Sequence, residues 1–462
     1  MFALPAVCVL VLLIYAHPQD YFEFLQAAPL LHVCLGLALF GMALDLRLGN
    51  TRLRATPQLP WVCAFFLWSA AGAMLRSPHG ALPHITELAI CAALYLVIAH
   101  GIQTFRALNV AAVTVLAVVL FVCAVGVEQG FAPTGCVLVS DSAEADTSAG
   151  EPDGRPCTTP RECYLDDPEP GADYACEHIG LFGTTSVGHG RVRYRGVLQD
   201  PNELALAGGI GLPLAFMLMR SRGKRLPRLL LVSCTLAIVF TCAVMTGSRG
   251  GQLVCLSVLA AYFARRFGWR GLAIGTVLSL PLFLFGGRGG EEASRSTIER
   301  IECWAEALAM WREHPILGVG LGRFNEYHYL TAHNSYLLPL AELGLPGMAL
   351  FSVILYLSAK VPLMALRHAA VTSRDGQRAV VPAAMALTAA FTGLAVGMFF
   401  LSFTYHYVLW IYIGLSGALY SAVRRHEPTF RARFGALDGL AVVVLDVAVI
   451  ALVSLYTRVK LG

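Results

Sequence analysis

The sequence predicts an all-α protein, a polytopic bundle of about 12–13 transmembrane helices with two extracytoplasmic loop segments. The first observation is composition: 56% of the 462 residues are hydrophobic and only 14% are charged, whereas soluble domains carry about 25% charged residues. The second is that apolar runs of roughly 17–22 residues recur, each long enough to cross a hydrocarbon core about 30 Å thick. The runs lack the two-residue alternation of outer-membrane strands, which argues against a β-barrel.

Thirteen apolar segments follow one another along the chain. They are residues 2–16, 27–46, 59–75, 84–100, 108–127, 203–219, 229–246, 252–263, 271–286, 335–357, 379–401, 405–423 and 437–456. Placing the Lys- and Arg-rich connections in the cytoplasm orients every segment without contradiction, with the amino terminus inside and the carboxy terminus outside. Because the basic residues cluster at span ends, orientation explains the net charge of +4, and we expect no nucleic-acid partner.

This pattern divides the chain into five regions. They are N-terminal spans (1–127), an extracytoplasmic acidic loop with cysteines (128–202), central spans (203–286), an extracytoplasmic loop with an interfacial helix (287–333), and C-terminal spans (334–462). Ser296 and Glu299 have the spacing of a capping box, so we expect the interfacial helix to begin there.

Four cysteines lie in the first extracytoplasmic loop: Cys136, Cys157, Cys163 and Cys176. Four in one polar loop predict two disulfides, with three possible pairings, and hence an oxidising compartment. A zinc site is the alternative, although no C-x-x-C pair supports it. The Pro, Gly and acidic content of the loop predicts mostly irregular structure.

Arginines at two places are candidates for binding phosphate. Arg191, Arg193 and Arg195 occupy alternate positions just before the span that begins at Glu203, and Arg249 lies between two apolar runs. An arginine here either pairs structurally, with Asp200 or lipid phosphate, or acts as a bidentate fork for a substrate phosphate. Arg249 has no acidic neighbour in sequence, and an arginine at membrane depth is by default a functional hypothesis.

His333 stands where a polar, aromatic stretch gives way to an apolar span. An imidazole at the water boundary is either an interfacial hydrogen-bonding residue or a general base. We also predict substrate contacts from Asn202, Asn334 and Glu342. For Glu342, about two turns into the span, a structural role is the favoured alternative.

Four stretches carry a family resemblance. In order, RGVLQDPNELA, TGSRGG, HPILGVGLGRF and AHNSYLLPLAELGLPG resemble the O-antigen ligase and O-antigen polymerase superfamily. The resemblance covers residues 193–347. It implies transfer of a glycan from a polyprenyl pyrophosphate-linked donor to an acceptor hydroxyl, on lipid A core or a growing polysaccharide. The expected location is the periplasmic face of the bacterial inner membrane, with the lipid bilayer and a lipid or saccharide acceptor as partners.

The resemblance also implies roles for individual residues. Arg195 and Arg249 would bind the pyrophosphate and His333 would activate the acceptor hydroxyl, with assistance from Arg191 and Arg193. It implies no cofactor and no metal, and these stretches contain no DxD-like carboxylate pair. A protein O-oligosaccharyltransferase and a polytopic transporter or flippase are the alternatives. Transporters of several folds have repeated halves, and none is evident.

Overall fold

The computed structural model describes residues 1–139, 150–165, 168, 170–188, 190–218, 225–285, 290–369 and 374–461. Helices dominate. They are α1 (Ala3–Ala16), α2 (Glu23–Gln26), α3 (Leu30–Arg47), α4 (Leu59–Arg76), α5 (Ala81–Gly101), α6 (Phe105–Gln129), α7 (Pro201–Leu218), α8 (Arg225–Met245), α9 (Arg249–Phe267), α10 (Trp269–Phe285), α11 (Gly290–Glu313), α12 (Leu337–Ala369), α13 (Arg374–Gly397), α14 (Tyr407–His426) and α15 (Ala436–Leu461). The strands are β1 (Thr134–Val139), β2 (Glu151–Pro156) and β3 (Asp173–His178).

The prediction of a polytopic helical bundle is confirmed. Each of the thirteen apolar segments overlaps a helix, and nine helices of the described residues are long and apolar enough to cross a membrane: α3 to α8, α12, α13 and α15. The other four are shorter or more polar. Helices α1 and α10 have only 14 and 17 residues. Helices α9 and α14 each have two arginines in their last turn. Within the described part of the chain, nine helices therefore have the length and apolar composition of a membrane span, compared with the 12–13 spans predicted.

The chain contacts divide it into two compact units. The first unit comprises Met1–Leu10, Leu31–Ala112 and Gly289–Gly462, and the second comprises Val11–Leu30 and Val113–Arg288. In the first unit α12 packs against α4, α11, α13, α14 and α15, and α5 packs against α14. In the second unit α7 packs against α8 and α9, and α9 packs against α10.

The helix of the second loop starts earlier than predicted. Helix α11 begins at Gly290, so Ser296 lies within it and does not cap it. The buried face, which includes Ala307 and Leu308, packs on α12 and α15. Because the helix continues on both sides of Ser296, the main-chain N–H groups after this residue already have helical acceptors.

Glycines of the HPILGVGLGRF stretch let the chain cross a break in α12. The helix is interrupted at Gly344, which has φ 71°, and this leaves main-chain carbonyls of the preceding turn without helical donors. The N–H groups of Val319 and Gly320 donate to Ala341 and Glu342, at 2.9 and 3.0 Å. A Cβ at Gly318 would lie 2.2 Å from the carbonyl carbon of Glu342. Glycine is therefore required for this close approach.

The loop between α6 and α7 contains a small three-stranded sheet that the sequence analysis did not predict, and the rest of its described residues are mostly irregular, as expected. Strand β1 pairs antiparallel with both β2 and β3. Two disulfides, Cys136–Cys163 and Cys157–Cys176, staple the sheet to the segment between its strands. The cysteines and Tyr174 form its core. A unit this small buries little apolar surface, and cross-links take the place of a larger core.

Candidate functional site

Two polar stretches singled out in the sequence, residues 191–202 and 247–251, meet in the second unit. Arg191 donates from Nε to the carbonyl of Thr246 at 2.9 Å, and Val192 donates its main-chain N–H to Met245 at 3.2 Å. The Ser248 hydroxyl donates to Asn202 Oδ1 at 2.7 Å. The arginine segment and the TGSRGG turn are thus joined by both main-chain and side-chain hydrogen bonds.

Asn202 organises this junction from within. Its Nδ2 donates to Asp200 Oδ1 at 2.8 Å, while its Oδ1 accepts from Ser248. Ser248 in turn accepts from the N–H of Gly251 at 3.0 Å and caps α9. Both ends of the Asn202 amide thus have protein partners and position the junction, and its substrate contact stays a prediction.

Arg249 is the first residue of α9, and its side chain is exposed. The amino end of a helix carries a partial positive charge and unsatisfied N–H groups, so it favours anions and disfavours cations. A cation placed here adds to the positive potential and destabilises the helix slightly in the absence of an anion. Both features favour anions, and the phosphate role of Arg249 stays a prediction.

Arg195 is oriented by main-chain carbonyls. Its Nη1 donates to Asp20 at 3.1 Å and its Nη2 donates to Gly183, while the guanidinium lies 5.6 Å from the centre of the Tyr21 ring. Among the described residues no ion pair joins Arg195 to a carboxylate. Carbonyl dipoles fix the direction of the guanidinium but leave its full charge, which can then attract an anion.

Arg193 differs from its neighbours because it is buried, with 2% of its surface exposed. Its Nε and Nη2 donate to the carbonyl and hydroxyl of Thr185, at 2.9 and 3.2 Å. Burial lowers the pKa of Arg193 to about 10, partly offset by the charges of Glu177 and Asp200. The side chain stays protonated at neutral pH and binds Thr185 within the loop, and its predicted assistance in substrate binding stays a prediction.

His333, in the first unit, has a strained backbone. Its φ is 44°, a left-handed conformation that costs a non-glycine residue about 1–2 kcal/mol. The chain on either side is fixed: Thr331 bonds the Ser402 hydroxyl at 3.0 Å, and Ser335 donates its N–H to Met398 at 2.8 Å. Strain of this kind persists where surrounding contacts determine the backbone, and it concentrates at functional sites.

Asn334 caps α12, and its predicted substrate contact stays a prediction. The side chain is fully buried, and its Oδ1 accepts from the N–H groups of Tyr336 and Leu337 at 2.9 and 3.1 Å. Its Nδ2 donates to the carbonyl of Phe399 at 3.4 Å. The amide oxygen thus starts the helix that follows His333, and the amide nitrogen ties it to the chain after α13.

Glu342 also has a structural position. It is 2% exposed, and its Oε1 accepts from the main-chain N–H of Phe324 at 3.3 Å. Its own carbonyl accepts from Gly320. Glu342 therefore binds the HPILGVGLGRF stretch to α12, as the structural alternative expects, and its predicted substrate contact stays a prediction.

Comparison with known families identifies part of the chain. Residues 234–352 match the family model described as O-Antigen ligase. Over these residues the chain is similar to the O-antigen ligase family. The superfamily resemblance recognised in the sequence is thereby confirmed, and the ligase segment includes both Arg249 and His333. A comparison with curated proteins found no match.

Sequence reasoning missed the residues that surround Arg195. The connection between α1 and α2 supplies His17, Asp20 and Tyr21, which lie against Arg195 and Gly196. These residues are separated from the arginines by well over a hundred positions, and no local pattern marks them. The predicted orientation could have indicated this proximity, because it puts residues 17–26 on the same side of the membrane as residues 191–202.

Proposed function

We propose that the protein transfers a glycan from a polyprenyl pyrophosphate carrier to an acceptor hydroxyl at the periplasmic face of the inner membrane. The ligase segment supports glycan ligation or polymerisation in general. The single observation that carries the finer proposal is the junction of Arg249 with the Arg195 segment through Ser248 and Asn202. A helix amino end and guanidinium groups on one junction suit a pyrophosphate better than a neutral sugar.

In this mechanism Arg195 and Arg249 bind the pyrophosphate of the donor. His333 accepts the proton of the acceptor hydroxyl while that oxygen attacks the anomeric carbon of the glycan. The bond between the anomeric carbon and the phosphate oxygen breaks, and the polyprenyl pyrophosphate leaves with the bonding electron pair. The arginines stabilise the negative charge that develops on the leaving oxygen. That the His333 segment acts on the same donor as the arginines stays a prediction.

Conservative replacement of the arginines tests the phosphate role. Arg195→Lys and Arg249→Lys each keep one positive charge but lose the planar fork that binds two oxygens. We expect the rate of glycan transfer to fall about 10²–10³-fold, as when one donor to a developing oxyanion is removed. Arg265→Lys, an exposed arginine in the last turn of α9, is the matched control and should leave the rate unchanged. Wild-type rates in both test variants would remove the phosphate clamp.

The acceptor distinguishes three versions of this function. Expression in cells that lack a lipopolysaccharide ligase, in cells that lack a polymerase, and in cells with a candidate acceptor protein separates them by product. Capped lipid A core indicates a ligase, lengthened polysaccharide a polymerase, and glycosylated protein an oligosaccharyltransferase. We favour the ligase and polymerase versions, and unchanged products in all three backgrounds would contradict glycan transfer.

A further inference from the structure

The connection between α1 and α2 forms one wall of the Arg195 site. The carbonyl of Asp20 accepts from Arg195 Nη1 at 3.1 Å, and the Tyr21 ring lies beneath the guanidinium. The Tyr194 hydroxyl donates to the carbonyl of Ala16 at 2.9 Å and fastens the connection to the arginine segment. The connection is thus part of the site and not a passive link.

Backbone strain marks the same wall. Three non-glycine residues of the described chain have positive φ: His17 at 44°, Phe182 at 60° and His333 at 44°. His17 belongs to this wall. Phe182 packs against it, with its ring centre 5.0 Å from that of Tyr21. Each such residue costs about 1–3 kcal/mol, and strained residues cluster at active sites and ligand clamps.

His17 is held in this conformation by two contacts. Its Nδ1 lies 2.6 Å from Asp20 Oδ2, and both side chains are about a quarter exposed, at 26% and 29%. Its ring packs on Gly196, where a Cβ would lie 2.4 Å from the ring. The Asp20 carboxylate beside Nδ1 and the packing of the ring on Gly196 restrict the orientation of the imidazole.

We propose that His17, oriented by Asp20, is a second phosphate ligand beside Arg195. The imidazole donates from Nε2–H to an oxygen of the donor's pyrophosphate, and the Asp20 carboxylate forms an ion pair with the ring. Arg195 and His17 then approach the same anion from the two sides of Gly196. This inference rests on the proposed function, because it names a further group that binds the same pyrophosphate.

A purely structural His17–Asp20 pair makes a different prediction. If the pair only fastened the loop, glycine at position 17 would relieve the left-handed strain and leave anion binding unchanged. If His17 is a ligand, His17→Gly keeps the backbone conformation at no steric cost but removes the donor. Stability and anion binding therefore change independently in this variant.

The test measures binding of farnesyl pyrophosphate to the purified full-length protein in neutral detergent. We expect His17→Gly to weaken binding about 10- to 100-fold, the effect of one hydrogen bond to a charged group. Asp20→Ala, which keeps the main-chain carbonyl that accepts from Arg195, should weaken binding in the same direction. His79→Gly, an exposed histidine of the first unit, is the control and should bind like wild type. The melting temperature of His17→Gly should not fall.

Two further comparisons make the outcome decisive. In the double variant His17→Gly with Arg195→Lys, the losses should fall short of additivity, because both residues bind one phosphate group. Wild-type binding by His17→Gly, with weakened binding by Arg195→Lys, would overturn this inference alone. Wild-type binding by Arg195→Lys and Arg249→Lys would instead overturn the proposed function.

Discussion

Replacing His333 by glycine separates chemistry from backbone strain. At φ 44° a histidine costs about 1–2 kcal/mol that glycine does not, while glycine loses about 0.5–1 kcal/mol more conformational entropy on folding. The net expectation is a variant about 0 to 1.5 kcal/mol more stable than wild type. Glycan transfer should nevertheless fall about 10²–10⁴-fold, the usual contribution of a general base. His333→Ala keeps the strain, so it should lose the same rate without the gain in stability.

The assay follows three quantities in parallel for wild type, His333→Gly and His333→Ala. These are the free energy of unfolding, the binding of lipid-linked donor, and the amount of glycan product. Donor binding should remain close to wild type, since the arginines hold the pyrophosphate. A wild-type rate in His333→Gly would leave this residue only an interfacial hydrogen-bonding role. A joint loss of stability and activity would show that the segment between Thr331 and Ser335 had collapsed, and would refute the strain reasoning.

Four further outcomes follow from the structure. Asn334→Ala should lower the free energy of unfolding by about 1–2 kcal/mol through loss of the cap. A loss of glycan transfer at unchanged stability would instead indicate that Asn334 contacts the substrate. Gly318→Ala should destabilise the protein more than Gly268→Ala, because both glycines have φ 66° but only Gly318 faces a neighbour, at 2.2 Å. An impermeant thiol reagent should label the four loop cysteines only after reduction, and labelling beforehand would contradict an oxidised, external loop. Transfer should persist in excess chelator, and a strict need for a divalent ion would count against the mechanism.

Long-range organisation was largely readable from the sequence. Apolar runs predicted where helices occur, and the distribution of basic residues predicted that residues 191–202 and 247–251 share one side. The hydrogen bonds from Arg191 to Thr246 and from Ser248 to Asn202 agree with this. Such features depend on hydrophobicity and charge summed over many residues, which is why a single sequence carries them.

The roles of single side chains were less accessible. Because Arg191, Arg193 and Arg195 occupy alternate positions, all three were expected to bind phosphate. Arg193 is instead buried against Thr185, and such burial depends on tertiary packing. The sequence analysis predicted only a substrate contact for Asn334, whereas the structure shows that its side chain caps α12. His17 could not be linked to Arg195 from the sequence, because only the fold brings its connection to that segment.

The amount of polyprenyl pyrophosphate released per glycan transferred tests the central claim most directly. Purified protein, lipid-linked glycan donor and acceptor are combined, and released carrier and new glycan product are quantified in the same samples. The proposed mechanism predicts one carrier released for each glycan joined, with both falling together in Arg249→Lys and His333→Gly. Donor moved intact across reconstituted vesicles, with neither carrier release nor product, would contradict glycan transfer and indicate a transporter.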